Sequence, residues 1–120
     1  MLNKRAGNIL LIRELNGKWG LPKGRIERFD NDIFACAARE LREETGIDIS
    51  KVDFYMRCCK KISDTTIYFI SLGRPTSDID VNIDATEIVE YMWHDIRHIK
   101  KNGNDRELFN KTIRDFVKYF

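Results

Sequence analysis

The stretch ARELREETG, Ala38 to Gly46, decides how this chain is read. It places Glu40, Glu43 and Glu44 within five residues of a segment patterned as a helix. Like charges three and four residues apart repel on a helix surface and weaken it. The helix itself is well marked. Phe34, Ala37, Ala38 and Leu41 recur at helical spacing over Asp32 to Thr45. Asp30, Asn31 and Asp32 offer N-cap side chains, and Gly46 suits the turn out of the helix. At about 100° per residue the three glutamates share one narrow side. Beside them runs a stripe of Phe34, Ala38 and Leu41 that can face a sheet. Two readings of the crowded acids stay open. In one they hold a hard divalent cation such as Mg2+, which favours oxygen ligands and bridges to phosphate. In the other they are a solvated acidic face balanced by Arg39 and Arg42.

Outward from this helix, the elements alternate. NILLIREL, Asn8 to Leu15, reads as a strand, and NGKWGLPKG as a glycine-rich loop. VDFYMRCC and TTIYFISLG read as strands joined by a KKISD turn, with a loop at GRPTSD around Pro75. TEIVEYMW is a further strand and HDIRHIKK a short helix. DRELFNKTIRDFVKYF, Asp105 to Phe120, reads as an amphipathic helix with Phe109, Ile113, Phe116, Val117 and Phe120 on one stripe. Helices interspersed with strands in this order predict an α/β layered domain.

The composition narrows the function classes. The 120 residues fit one domain with a real core, and a net charge of +2 argues by itself for neither nucleic acid nor membrane. The apolar run near the start is too short for a signal segment or a membrane span. Cys36, Cys58 and Cys59 are odd in number and two are adjacent, so no disulfide framework is expected. A reduced, intracellular (cytoplasmic) setting is the default.

From Gly24 to Ile47 the chain reads GRIERFDNDIFACAARELREETGI. This segment resembles the signature of the Nudix hydrolases, G-x5-E-x7-R-E-U-x-E-E-x-G-U, where U is aliphatic. The second half matches residue for residue, Arg39 through Ile47, and KWGLPKG looks like the loop that leads into the box. The resemblance implies an α/β/α sandwich: a mixed sheet with the box helix on one face and the C-terminal helix on the other. One domain, 1–120, would carry the box at 24–47. The family commonly has a strand before NILLIREL, and few residues precede it here, so either the sheet is expected to be trimmed or the chain to be a minimal version of the fold. The loop also departs from the pattern. Counting forward from Gly24, the first signature glutamate falls on Asp30; counting back from Arg39, it falls on Asn31. In the family that position supports the junction of loop and helix, a task either residue would here perform by capping.

The resemblance also implies a chemistry and its residues. The reaction is hydrolysis of a phosphoanhydride in a nucleoside diphosphate linked to another group, with water attacking phosphorus and Mg2+ or Mn2+ as cofactor. Glu40, Glu43, Glu44 and the carbonyl of Lys23 would hold the metal. Glu44 or Glu87 would take the proton from water, a metal-ligand role being the other alternative for Glu87, and Arg39 would orient the acids by ion pairing. Lys23, Gly24 and Arg25 would lie at the substrate phosphates, the alternative for the two cations being solvated loop residues. Glu87 stands six residues before Trp93, an offset resembling that of a functional glutamate in decapping and diadenosine tetraphosphate hydrolases. Its alternative is an exposed residue at the start of a strand, and Glu90 is its rival.

The loop wording and the Glu87 offset look more like the dinucleoside polyphosphate, diphosphoinositol polyphosphate and decapping branches than like the nucleotide-pool cleaners. Three functions stay open: a hydrolase of small nucleotide derivatives, an enzyme acting on capped RNA, and a domain that binds nucleotide without cleaving it. Intact acids from Arg39 to Glu44 argue against the third. No membrane partner is expected, and the sequence leaves the oligomeric state open. His94 and His98 read as surface helix positions, Trp19 as a packed residue with base stacking as the alternative, and Cys36 as packed. Arg57, Lys60 and Lys61 read as an ordinary strand end, with a small RNA-contact patch as the alternative.

Overall fold

The computed structural model describes residues 2–3, 8–51, 54–62, 65–72 and 78–119, with side chains over 8–51, 61, 65–68 and 78–118. Of the expected KKISD turn, Lys60–Ile62 instead continue the preceding strand, while Ser63–Asp64, the loop at Pro75, the side chains of Arg57 and Lys60, and Phe120 lie outside these residues.

Six strands form one mixed sheet: β1 (Leu2–Asn3), β2 (Asn8–Glu14), β3 (Trp19–Gly20), β4 (Phe54–Ile62), β5 (Thr65–Leu72) and β6 (Ile88–Asp95). Strand β2 is its axis. One edge of β2 pairs antiparallel with β6, setting Leu10 opposite Trp93 and Ile12 opposite Tyr91. Its other edge takes the short strands β1 and β3, and β1 pairs in parallel with β5. The strand ahead of Asn8 is thus the two-residue β1, and it lies inside the sheet between β2 and β5.

Side chains alternate across a strand, so β2 serves two cores at once. Ile9 and Leu11 turn to one face, where they meet Ile99 of α2 (Ile96–Asn102), Ile113 and Phe116 of α3 (Lys111–Phe116), and Phe109. Leu10 turns to the other face and meets Leu41 of α1 (Ile33–Thr45), with Ile47, Ile49 and Ile79. Phe34, Ala38 and Trp93 border this second cluster. The stripe of Phe34, Ala38 and Leu41 therefore faces the sheet as its spacing predicts, and the fold is the α/β/α sandwich.

Two expectations about local structure are corrected. The glycine-rich loop contains β3, because Gly20 pairs with Ile12 and Trp19 with Arg13. The C-terminal helix begins only at Lys111 and passes into a 3-10 turn, Val117–Tyr119. The backbone before it is taken up elsewhere. Trp19 N–H donates to the Leu108 carbonyl at 2.8 Å, and Asn110 N–H donates to the Trp19 carbonyl at 3.0 Å. The Asn110 side chain then caps α3 by accepting from Ile113 N–H.

Helix α1 is closed at both ends. Asp32, not Asp30 or Asn31, is the N-cap, accepting from Ala35 N–H at 2.7 Å. Gly46 leaves the helix at φ 75° and donates to the Arg42 carbonyl. The segment beyond then covers the last free carbonyls. Asn82 N–H donates to Thr45 at 2.7 Å, and Asp84 N–H donates to Glu44 at 3.1 Å. A left-handed conformation costs a residue with a Cβ roughly 1–2 kcal/mol. Gly46→Ala should therefore lower the melting temperature by at least about 5 °C. A melt indistinguishable from wild type would mean that this turn relaxes freely.

Candidate active site

The site begins where the box loop meets α1. The Arg39 guanidinium grips Asp30 with two hydrogen bonds, Nε to Oδ1 at 2.9 Å and Nη2 to Oδ2 at 3.0 Å. Asp30 Oδ2 also accepts from Glu27 N–H at 2.8 Å, which folds the loop back on itself. Arg39 donates further to the Arg25 carbonyl, and its guanidinium lies over the Phe29 ring, 5.0 Å from the centroid. The hydrogen bonds to Arg39 hold the Asp30 carboxyl below its usual range, and those to Asp30 raise the guanidinium's own affinity for its proton. Asp30 thus ties loop to helix by ion pairing, not by capping, and it occupies the position of the missing signature glutamate counted from Gly24.

Arg39 also sorts the acids. Its Nη1 donates to Glu40 Oε1 at 2.9 Å and to Glu43 Oε2 at 3.1 Å. Glu43 is half exposed on this side of the helix. Glu44 turns inward and is only 7 % exposed. Its carboxyl receives the Lys23 backbone N–H. Its Oε2 is buried with no hydrogen-bond partner among the described residues. Burial, chiefly, pushes the Glu44 carboxyl up to about 8, with Glu40, Glu87 and Glu14 adding like charge and the Lys23 amide opposing. Glu40 is raised for the same first reason, against the pull of Arg39. Gly24 lies flat against the Glu40 carboxyl, where any Cβ would collide with it.

Glu87 reaches this group from just ahead of β6. The Glu87 and Ile88 amides donate to the Asp84 carbonyl at 3.1 and 2.8 Å, and Asp84 is itself bonded to the Glu44 carbonyl. The last turn of α1 and the residue before β6 are therefore fastened together. Glu90 is directed elsewhere. It pairs in the sheet with Arg13, whose Nε stands 2.7 Å from its carboxylate. Between the two rivals, Glu87 is the one whose charge acts on Glu40 and Glu44.

A motif reading omits Glu14. It shares the parity of Leu10 and Ile12 on β2, so strand alternation puts it on the face of α1, which is the available sequence signal. Its charge acts on Glu44, and its carboxylate lies 3.7 Å from Lys23 Nζ. Lys23 and Arg25 are exposed, as loop cations would be. With Gly24 they also line a cleft of about 760 Å3, walled opposite by Ala37, Leu41, Thr66 and Tyr68.

Two other positions stand differently from their sequence reading. His94 is not a surface helix residue. It ends β6 buried, its ring 4.6 Å from that of Trp19 in an edge-on contact and near Phe109, and burial lowers its proton affinity. Trp19 packs into that same core. Cys36 is packed as expected, with its thiol pushed up chiefly by burial.

Among the described residues no three His, Cys, Asp or Glu side chains stand close enough to share one metal ion. The chemistry of the donors nonetheless suits a hard divalent cation. A buried carboxylate oxygen without a partner among the described residues, crowded by further carboxylates, is relieved either by taking up a proton or by a bound cation.

Fold and site together point to one class, the Nudix domains, and the chain belongs to that family. The family profile of the NUDIX domain matches residues 1–116. The chain is 28 % identical over 109 residues to mRNA-decapping enzyme subunit 2 of Arabidopsis thaliana, covering 88 % of this chain and 29 % of that protein. It is 37 % identical over 94 residues to Nudix hydrolase 8 of the same plant, covering 71 % of this chain and 25 % of that one. It thus spans less than a third of the length of either. The fold matches that of the Ap4A hydrolase of C. elegans with a TM-score of 0.66, covering 98 % of this chain and 91 % of that one at 21 % identity.

A raised carboxyl has a definite signature in stability. The folded state binds the Glu44 proton more tightly than the unfolded chain, so this contribution is complete below about pH 4.5 and is lost as pH rises through about 8. In metal-free protein, Glu44→Gln should remove that loss and melt at least about 4 °C above wild type at pH 8. Equal melting of the two proteins from pH 5 to pH 8 would show that Glu44 is not held this way.

Proposed function

We propose that the chain is a divalent-metal-dependent hydrolase of phosphoanhydride bonds in a nucleoside diphosphate linked to another group, with water attacking phosphorus. One observation carries this reading: the buried, unpartnered carboxylate oxygen of Glu44, set among Glu40, Glu87 and Glu14 and against the Lys23–Gly24 loop. Glu40, Glu43, Glu44 and the Lys23 carbonyl would hold Mg2+ or Mn2+. The bound cation supplies neutralisation of the phosphate oxygens and a water of lowered pKa. Holding it requires Glu43 and Glu40 to share their charge between it and Arg39.

The remaining roles fall to residues of this chain. Glu44 or Glu87 accepts the proton from water as it attacks phosphorus; burial, with the charge of neighbouring carboxylates, keeps the proton affinity of Glu44 high. Arg39 keeps Glu40 and Glu43 in place and touches no substrate. Lys23 and Arg25 meet the phosphates, Gly24 allows their backbone to come close, and the adjoining cleft receives the group on the far side of the phosphates. A cysteine usage without a disulfide framework supports an intracellular, cytoplasmic setting.

A second reading, capped RNA as substrate, is supported by the relatives named as mRNA-decapping enzymes. Its binding would weaken steeply with salt, because phosphate contacts release counterions.

Hydrolysis would be measured with Mg2+ or Mn2+ across nucleoside triphosphates, nucleotide sugars, ADP-ribose, dinucleoside polyphosphates, diphosphoinositol phosphates and capped RNA. Turnover of at least one compound should vanish with chelator. Glu44→Gln and Glu87→Gln should each be tested, and the general base should lose roughly 10²-fold or more in kcat. Nucleotide binding without turnover on any substrate would replace the enzyme with a binding domain.

A further inference from the structure

Lys23 is held at both ends by carboxylates from different elements. Its backbone N–H donates to Glu44 of α1, and its ammonium stands 3.7 Å from Glu14 of β2. Glu14 closes β2, the strand that serves both cores. It is fixed there by its own backbone, with Glu14 N–H donating to the Lys18 carbonyl and Gly17 N–H donating to the Glu14 carbonyl, each at 2.9 Å. Opposite it the ladder slips by one residue, since Arg13 pairs with Glu90 and Glu14 with Ile88. Such an irregularity re-aims the side chains beside it. Glu14 and the segment carrying Glu87 thus meet at one end of the β2–β6 pair, and both act on Glu44.

We propose that Glu14 is a positioning residue of the site, acting through Lys23. It anchors the Lys23 ammonium to the rigid end of β2, which keeps the Lys23 amide on Glu44 and Gly24 on Glu40. The loop is otherwise exposed from Lys23 to Phe29, and the pair lies at its entry, next to the two acids that the loop contacts. This role rests on the metal-binding reading above for its effect on cations, but not for its effect on Lys23. Because both partners are partly exposed, the pair is worth at most about a fivefold factor.

Two measurements test it. In metal-free protein, the rate at which an acylating reagent modifies Lys23, followed by peptide mass spectrometry, should rise two- to fivefold in Glu14→Gln and stay near wild type in Glu14→Asp. Mn2+ binding, followed by electron paramagnetic resonance, should weaken two- to fivefold in Glu14→Gln and by at least tenfold in Glu14→Lys. In a Lys23→Met background, Glu14→Gln should lose most of its effect on Mn2+, leaving only the direct influence of its charge on Glu44. An unchanged Lys23 acylation rate overturns the proposal, as does a Glu14→Gln effect on Mn2+ that is undiminished in Lys23→Met. If wild type binds no Mn2+ while Lys23 acylation responds as expected, the metal reading fails and the anchoring of Lys23 stands.

Discussion

The site depends on the grip of Arg39 on Asp30. One planar guanidinium, 12 % exposed, is shared by Asp30, Glu40, Glu43 and the Arg25 carbonyl. It makes the exposed box loop and the first half of α1 a single body. It also offsets the repulsion that three glutamates on one side of a helix would otherwise impose. A lysine has one ammonium where arginine has a rigid fork, and could not serve the loop and the acids together. With Arg39 in place, Gly24 rests on Glu40 and the Lys23 amide reaches Glu44, so the geometry of the acids is set by the loop as much as by the helix.

Much of the helix was legible in the sequence because its signals are local. The apolar period, the cap side chains and Gly46 all concern residues within a few positions of one another, and each appears in the structure. The placement of Asp30 was legible only in part, since motif counting could not tell pairing with Arg39 from capping. What the sequence hid depends on distant partners. The segment before Lys111 has helical periodicity, but its backbone is drawn to Trp19, ninety residues earlier in the chain. His94 looked like a helix residue because the strand runs two residues beyond the apolar stretch and buries it on Trp19. Glu14 lies two positions past an apolar run, in no motif, and only strand parity points it to α1.

The same contrast runs through the site. Glu40, Glu43, Glu44 and their loop are built from short-range contacts around one helix, whereas Glu14 and Glu87 come to them from β2 and from the approach to β6. The cleft is likewise lined by that loop and helix together with the start of β5 and Thr112, elements far away in the chain.

The fastening of Asn82 and Asp84 onto the end of α1 has a consequence for how such a domain can diversify. Glu44 and Glu87 are more than forty residues apart in sequence, yet three backbone hydrogen bonds connect them: Glu44 to Asp84, then Asp84 to Glu87 and Ile88. The β4–β5 hairpin between them in the chain is a detour that this connection bypasses. Lengthening or reshaping that hairpin leaves the spacing of the two acids untouched. Evolution is thus free to rewrite one wall of the cleft as an interchangeable cassette while Glu44 and Glu87 stay in register.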